Sequence, residues 1–344
     1  MNEDTAVRTK GWVLHLAFAL AALAALAANA AVAQQFRGKT IRIIVGSAAG
    51  GGYDANARLV ARHLGAHLAG HPTVIVSNMP GASGAQAANY LYLTAPKDGT
   101  VLGTFNKSLP SYQAVGQAGV RFKAEELSWL GCLSQTVDTV VVWHTTGVQT
   151  IEDAKARPVI MGALTRIGTM WAYPALLNAL LGTRFRIVTG YESGTHINLA
   201  MEKGEIEGRG SNPWSSWKAT SSDWIRDRKI VPIVQIGLSK DADLPHVPLL
   251  TELAQGEEQS RIFAFASSEA MDRPFAAPPG LAPEILAELR GAFDLMVRDP
   301  AFIEDARKAA LDLDPLPGAK VADIVRGVVN TPPDVIRRYK EITE

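Results

Sequence analysis

Three consecutive glycines, Gly50, Gly51 and Gly52, stand between a β-branched run (Thr40 to Val45) and an apolar-periodic segment that begins at Tyr53 and Asp54. Strand, glycine loop and helix N-terminus in that order present bare backbone N–H groups to an anion, and the helix dipole adds to the attraction. A second loop of this kind, Pro80-Gly81-Ala82-Ser83-Gly84, follows the next strand pattern and again opens a helix. Neither loop carries a nucleotide or hydrolase signature. The glycine triplet lacks the G-x-G-x-x-G spacing, no Gly-Lys-Ser/Thr follows it, and Gly81 to Gly84 is not a G-x-S-x-G elbow. The chemistry left is binding: two amide-rich loops meeting at one crevice would hold a carboxylate or a phosphate.

The other reactive side chains form no catalytic or metal-binding set. His63, His67 and His71 recur every four residues, but no cysteine or carboxylate completes a zinc site, and a solvated helix face is expected instead. Cys132, the only cysteine, rules out an internal disulfide. In Ser128-Trp129-Leu130-Gly131-Cys132-Leu133 it reads as a small buried hydrophobe, with nothing nearby in sequence to lower its pKa. His196 is a candidate base without an acid or nucleophile beside it. No cofactor, no metal and no enzymatic activity are therefore expected.

The elements that must position the loops follow from periodicity. Ile41, Ile43, Ile44 and Val45 leave little polar alternation, the mark of a buried strand. Ala57, Val60, Ala61, Leu64 and Leu68 then fall on one helical face. Strand–helix alternation continues through Thr73–Ser77, a helix to Leu93, and Val101–Phe105, which predicts an α/β fold with a parallel sheet. In such sheets ligands bind beyond the carboxyl ends of the strands, where both glycine loops and Asn106-Lys107-Ser108 lie. The scheme repeats downstream, at Val159–Gly162 before the loop Ala163 to Thr169 and at Phe185–Val188 before the loop Thr189 to Thr195. The segment Gly204 to Trp214 reads as a loop, and Ile262 to Ala266 as a strand returning to the first unit.

A chain of 344 residues, 47% of them hydrophobic, suits two domains with real cores, and zero formal net charge without a basic stripe excludes non-specific nucleic-acid binding. Arg8 and Lys10 precede the Ala/Leu-rich segment Trp12 to Ala28, which ends in Ala31-Val32-Ala33. That is a secretory signal peptide cleaved after Ala33, with an uncleaved membrane anchor as the alternative. The expected organisation is a signal peptide at 1–33, a first lobe from 34–135 and 263–344, and a second lobe from 136–262.

The pattern Ile-Val-x-x-Ala-x-Gly-Gly-Gly-x-Asp ending at Asp54, followed by Asn78 to Gly84 and by Pro96-Lys97-Asp98-Gly99-Thr100, resembles the Bug-type (TctC-like) solute receptors. These are the extracytoplasmic binding proteins of tripartite tricarboxylate transporters. Leu244-Pro245-His246-Val247-Pro248-Leu249-Leu250 is similar to the family's Leu-Pro-x-Val-Pro-Thr-Leu segment. The resemblance implies a bilobal, type II periplasmic-binding-protein-like fold with a central cleft and a monomeric periplasmic receptor. The implied partners are membrane transporter subunits and a small organic acid (di- or tricarboxylate, aromatic acid or amino acid). It further implies that Ala48, Ala49, Gly50, Gly51, Gly52, Tyr53 and Asp54, with Gly81, Ala82, Ser83 and Gly84, hold the carboxylate, next to Phe105 and Lys107.

On the same resemblance, Thr165, Arg166, Gly168, Thr169, Tyr191, Glu192, Ser193 and Arg209 of the second lobe read the rest of the ligand. Glu192 stands where the family has lysine, so Arg166 and Arg209 become the candidates to grip a distal carboxylate, each with a solvated surface arginine as the alternative. Tyr53, Phe105, Tyr191 and Trp214 could line an aromatic slot, with packing as the alternative for Trp214 and Trp217. A secreted enzyme acting on a small carboxylate is the rival function. A ligand-sensing regulator domain is another, and it would need a helix-turn-helix upstream, where an export signal stands instead.

Overall fold

The computed structural model describes residues 36–343 other than 51, 165, 167, 192 and 310. The expected signal peptide lies outside the described residues. Among the described residues, no helix is long and apolar enough to cross a membrane.

Two mixed sheets organise the chain. The first contains β1 (Thr40–Val45), β2 (Thr73–Asn78), β3 (Val101–Thr104), β4 (Ser128–Gln135), β10 (Met271–Ala277) and β11 (Leu316–Pro317), in the order β11-β4-β10-β3-β1-β2. The second contains β5 (Asp138–Trp143), β6 (Val159–Gly162), β7 (Phe185–Val188), β8 (Gly208–Pro213) and β9 (Ile230–Ile236), in the order β7-β6-β8-β5-β9. The parallel pairing expected from strand–helix alternation is found where helices connect neighbours: β1 with β2 and β3, and β6 with β7 and β8. The strands carrying the chain between sheets pair antiparallel, β10 with β3 and β4, and β5 with β8 and β9.

Helices α1 (Gly52–His67), α2 (Ala85–Leu93) and α3 (Leu109–Ala114) follow β1, β2 and β3. Ile41, Ile43 and Val45 enter one core with Leu59, Val60 and Leu64 of α1, whereas Ile44 points to the other face, among Ala87, Ala88 and Leu91 of α2. The alternation is the two-residue period of a strand covered on both sides. Cys132 sits in the second of these cores, fully buried, and burial pushes its thiol up to about 12. Native protein is therefore expected to resist thiol reagents and to react only after denaturation, which a colorimetric thiol assay in buffer and in guanidinium would check. Fast labelling of the native protein would contradict this packing.

In the second unit, α4 (Ile151–Ala156), α5 (Thr169–Leu181), α6 (Gly194–Glu202), α7 (Trp214–Thr220) and α8 (Ser222–Arg226) flank the sheet. Trp214 and Trp217 are buried with Trp143 and Trp224, and their indole N–H groups reach Asp243 (3.4 Å) and Thr139 (3.1 Å). They are core residues, and the slot role considered for Trp214 does not hold. The loop expected over Gly204 to Trp214 contains the central strand β8. A Cβ at Gly210 would lie 2.4 Å from the Met170 carbonyl oxygen, so this strand is selected for closeness to α5 rather than for β-branched residues.

The strand expected at Ile262 to Ala266 is instead part of helix α9 (Glu257–Ser267), opened by Glu257 and Glu258 in its first turn. Ile262, Phe263 and Ala266 fall in the second sheet's core, so the 262/263 boundary cuts a helix, and the return to the first sheet is made by β10. The C-terminal part adds α10 (Pro283–Met296), α11 (Pro300–Lys308), α12 (Gly318–Val329) and α13 (Pro333–Thr343). Val335 of α13 also lies in the second sheet's core. His63 and His67 do not form a solvated face. They contact Asp305 (3.0 Å) and Asp299 (3.1 Å), tying α1 to α11.

Candidate functional site

The three parallel strand ends of the first sheet converge on backbone. A Cβ added at Gly46 would stand 3.0 Å from Gly84 Cα and 3.2 Å from Phe105 Cβ, and one at Gly84 would stand 3.3 Å from the Asn106 nitrogen. The second glycine loop thus meets the end of β1 and the segment after β3 backbone to backbone, over the Phe105 Cβ. Gly84 is left-handed (φ +95°) where the short turn Ala82–Gly84 gives way to α2, and Ala82 also has positive φ (46°). Such a turn spends part of its hydrogen-bonding capacity on itself, since the Gly84 amide donates to the Gly81 carbonyl (2.9 Å).

The first loop is braced from its own helix. Asp54 is 3% exposed; one carboxylate oxygen accepts from the Gly50 amide (2.8 Å) and from Arg58 Nε (2.9 Å), and the other from Asn78 Nδ2 (2.9 Å). Asn78 also donates to the Ser47 carbonyl (3.0 Å), joining the first loop to the end of β2. Arg58, then the Gly50 amide and Asn78, hold the Asp54 carboxyl down at about 2, against the opposing effect of burial. Asp54 and the Gly50 amide are therefore engaged within the loop itself. The exposed residues Ala48 and Ala49 form its outer turn.

Phe105 is 1% exposed, under the loops with its Cβ against both Gly46 and Gly84, so it supports them from below and does not line an aromatic slot. Tyr53 is a junction. Its hydroxyl accepts from the Lys107 amide (3.0 Å) and lies 3.5 Å from Asp272 Oδ1, while Arg273 stacks 4.4 Å over its ring. Burial, then the Asp272 charge, pushes the Tyr53 phenol up to about 12. Arg273 donates through Nη1 to Asp272 (2.8 Å), and its Nη2 would touch a Cβ at Gly52 (2.9 Å). The first lobe's crevice thus has an arginine beside its glycine loop, supplied by the returning strand β10.

On the facing unit, Thr169 opens α5 and receives a hydrogen bond from Ser211 Oγ (2.9 Å), with Gly168 as the helix N-cap (φ +97°). Arg166 is exposed and stacks 4.6 Å over Trp171. Arg209 is 7% exposed and turned into its own unit. It donates to the Ser211 carbonyl (3.1 Å) and Asn198 Oδ1 (3.0 Å) and lies 5.4 Å from the Trp217 ring, and burial lowers its pKa to about 10. Arg209 is buried rather than the solvated surface arginine considered as the alternative, and with Gly194, Asn198 and Asn212 it borders a cavity of about 590 Å³ in its own unit. Tyr191 is half-buried against the tryptophan core, and Ser193 caps α6 by accepting from the His196 amide (3.2 Å). Gly51, Thr165 and Glu192 lie outside the described residues.

Asp138 and Asp272 escaped the sequence reading altogether. Asp138 begins β5, just after the chain leaves the first sheet, and Asp272 sits near the start of β10, where the chain returns. Burial raises the Asp138 pKa, opposed by Lys107, Ser211 and Arg209. Ser211, which hydrogen-bonds Asp138, also donates to Thr169 (2.9 Å), so the three form one polar group on the second unit. Among the described residues, no group of His, Cys, Asp and Glu could hold a metal ion.

No family model matches the chain. A UPF0065 protein encoded in the gbd 5′ region of Cupriavidus necator is 26% identical over 292 residues, covering 83% of this chain and 82% of its own. A TctC solute-binding protein from Polaromonas superposes with a TM-score of 0.68 at 19% identity, covering 89% of this chain and 98% of its own. An R. palustris protein with adipate superposes with a TM-score of 0.53 at 16% identity, covering 88% and 98%. The resemblance read from the glycine loops is borne out at the level of the fold.

Proposed function

We propose that this chain, which shares its fold with TctC-type solute-binding proteins, is a periplasmic receptor that captures a small organic acid between its two α/β units and presents it to membrane transporter subunits. The observation that carries the reading is the convergence of Gly46, Gly84 and Asn106 backbone at the carboxyl ends of β1 to β3. A carboxylate fits such a site because each hydrogen bond to a charged group contributes roughly 1.5–3 kcal/mol. Three or four of them, less ordering costs, support about micromolar binding. The adipate held by the R. palustris protein is a ligand of this chemistry in the same fold. The export signal read at residues 1–33 would deliver the receptor to the periplasm, and no catalytic role is assigned to any residue.

The test is thermal denaturation with a panel of organic acids, sugars and inorganic cations. A carboxylate at about 100 times its Kd should stabilise the fold by about 2.7 kcal/mol, a rise of several degrees. Sugars and cations should produce none. A panel in which no organic acid shifts the transition, while a neutral solute does, overturns the reading.

A further inference from the structure

We propose that Arg273 contacts the ligand directly, the edge of its guanidinium formed by Nε and Nη2 completing the anion site at the first glycine loop. This deepens the carboxylate-receptor reading and rests on it. Arg273 reaches the loop from far along the chain, on the strand that returns from the second unit. Its plane is fixed by two contacts. The guanidinium carbon lies 4.4 Å from the centre of the Tyr53 ring, and Nη1 donates to Asp272 Oδ1 (2.8 Å). Tyr53 is held in turn, since its hydroxyl accepts from the Lys107 amide (3.0 Å). A Cβ placed on Gly52 would lie 2.9 Å from Nη2, 3.5 Å from Cζ and 3.8 Å from Nε, so the other edge runs along the first residue of α1. Any side chain larger than hydrogen at Gly52 would push that edge aside.

Two features separate this arginine from one that only ties the fold together. The first is its open pair of donors. Arg209 has Nε and Nη1 bonded inside its own unit, and Arg58 has Nε on Asp54. Among the described residues, the Arg273 side chain donates through Nη1 alone, and 26% of it is exposed. The Nε and Nη2 hydrogens are parallel and match the two oxygens of a carboxylate. The second feature is its backbone. Arg273 is held at φ +53° directly before Pro274, where an L residue is ordinarily extended. Strain of this kind gathers at ligand clamps, where the surrounding structure holds a side chain in place for use. Asp272 also accepts from the Arg273 amide (3.0 Å) and balances the guanidinium charge. An incoming anion is therefore recognised by directed hydrogen bonds rather than by a net positive field.

The experiment is titration calorimetry of the purified protein with malate, adipate and benzoate. Arg273→Met keeps a stem to cover Tyr53 and removes every side-chain donor. It should weaken each acid that the parent binds by about 30-fold or more. That variant alone leaves Asp272 uncompensated and able to repel the ligand, so the comparison that decides is Asp272→Asn/Arg273→Met, which removes both charges. It should remain weaker than the parent by about tenfold or more. Gly52→Ala displaces the guanidinium edge while keeping Arg273, and alanine suits a first helical turn. It should weaken binding by about tenfold in the parent and leave Arg273→Met unchanged, a coupling expected only when both act through one contact. A double variant that binds like the parent shows that Arg273 only neutralises Asp272; it overturns the proposal and leaves the receptor reading intact. So does an Arg273→Met protein that melts and binds like the parent. If the parent binds none of the three acids, the receptor reading falls and the proposal falls with it.

Discussion

Replacing Asp54 by alanine is expected to cost about 3 kcal/mol of stability and to abolish stabilisation by carboxylates at the same time. The side chain is buried, and its two oxygens hold the Gly50 amide and the Asn78 amide, the two groups that join the glycine loop to α1 and β2. Its removal leaves the Gly50 amide to water and Asn78 Nδ2 with the Ser47 carbonyl alone, and each hydrogen bond lost to the charged carboxylate is worth roughly 1.5–3 kcal/mol. Half-exposed Arg58 adds little, because water and salt screen its charge. Urea unfolding with and without ligand measures both effects. A variant that loses stability but keeps the full ligand-induced shift would show that the loop does not need its brace in order to bind.

The same residue predicts an acid-dependent component. With its folded-state pKa held near 2, against an ordinary 3.8, Asp54 contributes stability that is complete above about pH 4 and fades as pH falls toward 2. After allowance for screening of Arg58, the component is about 1–2 kcal/mol. Asp54→Asn keeps the shape without the charge. The stability gap between parent and variant should therefore narrow between pH 5 and pH 2, and a gap that stays constant would contradict the assignment.

The half of the site that was legible in the sequence is the local half. A glycine run between a β-branched strand and an apolar-periodic helix is built within some fifteen consecutive residues, and its meaning survives folding. Asp54 was visible there too, though as a ligand contact rather than as the brace it is. What the sequence hid is the material supplied by distant chain. Asp272 reaches Tyr53 across 219 residues, and with it comes Arg273, which no spacing rule connects to the glycine loop.

The second unit was harder to read for a different reason. Strand β8, Gly-Arg-Gly-Ser-Asn-Pro, has none of the side chains that mark a strand, because α5 lies directly on its backbone. Helix α9 was misread because a short unbroken apolar run fits a buried strand as well as a helix, and only the acidic first turn and the packing of Phe263 distinguish them. Arg209 illustrates the same limit for a single side chain. Charge made it a ligand candidate, and only the Asn198 and Ser211 contacts reveal that it also braces its own unit.

Gly84→Val tests whether the meeting of the second loop with the ends of β1 and β3 is what binds. Valine at φ +95° is strained, at roughly 1–3 kcal/mol, and its Cβ would stand 3.3 Å from the Asn106 nitrogen and 3.4 Å from Phe105 Cβ. The branched side chain must then wedge the second loop away from β1 and from the segment after β3. Carboxylate affinity is expected to fall by about 100-fold or more, since hydrogen bonds that share one small anion lose geometry together. Gly84→Ala, which keeps the backbone strain with less bulk, should retain the fold and lose about tenfold. Gly38→Ala separates strain from geometry: its φ is +70°, nothing lies within 4 Å of the added carbon, and it should cost about 1–2 kcal/mol without changing affinity. Calorimetric affinities for the three variants decide the matter. If folded Gly84→Val binds a carboxylate as the parent does, the converging backbone is only a tight junction between strands, and the anion site lies elsewhere in the cleft.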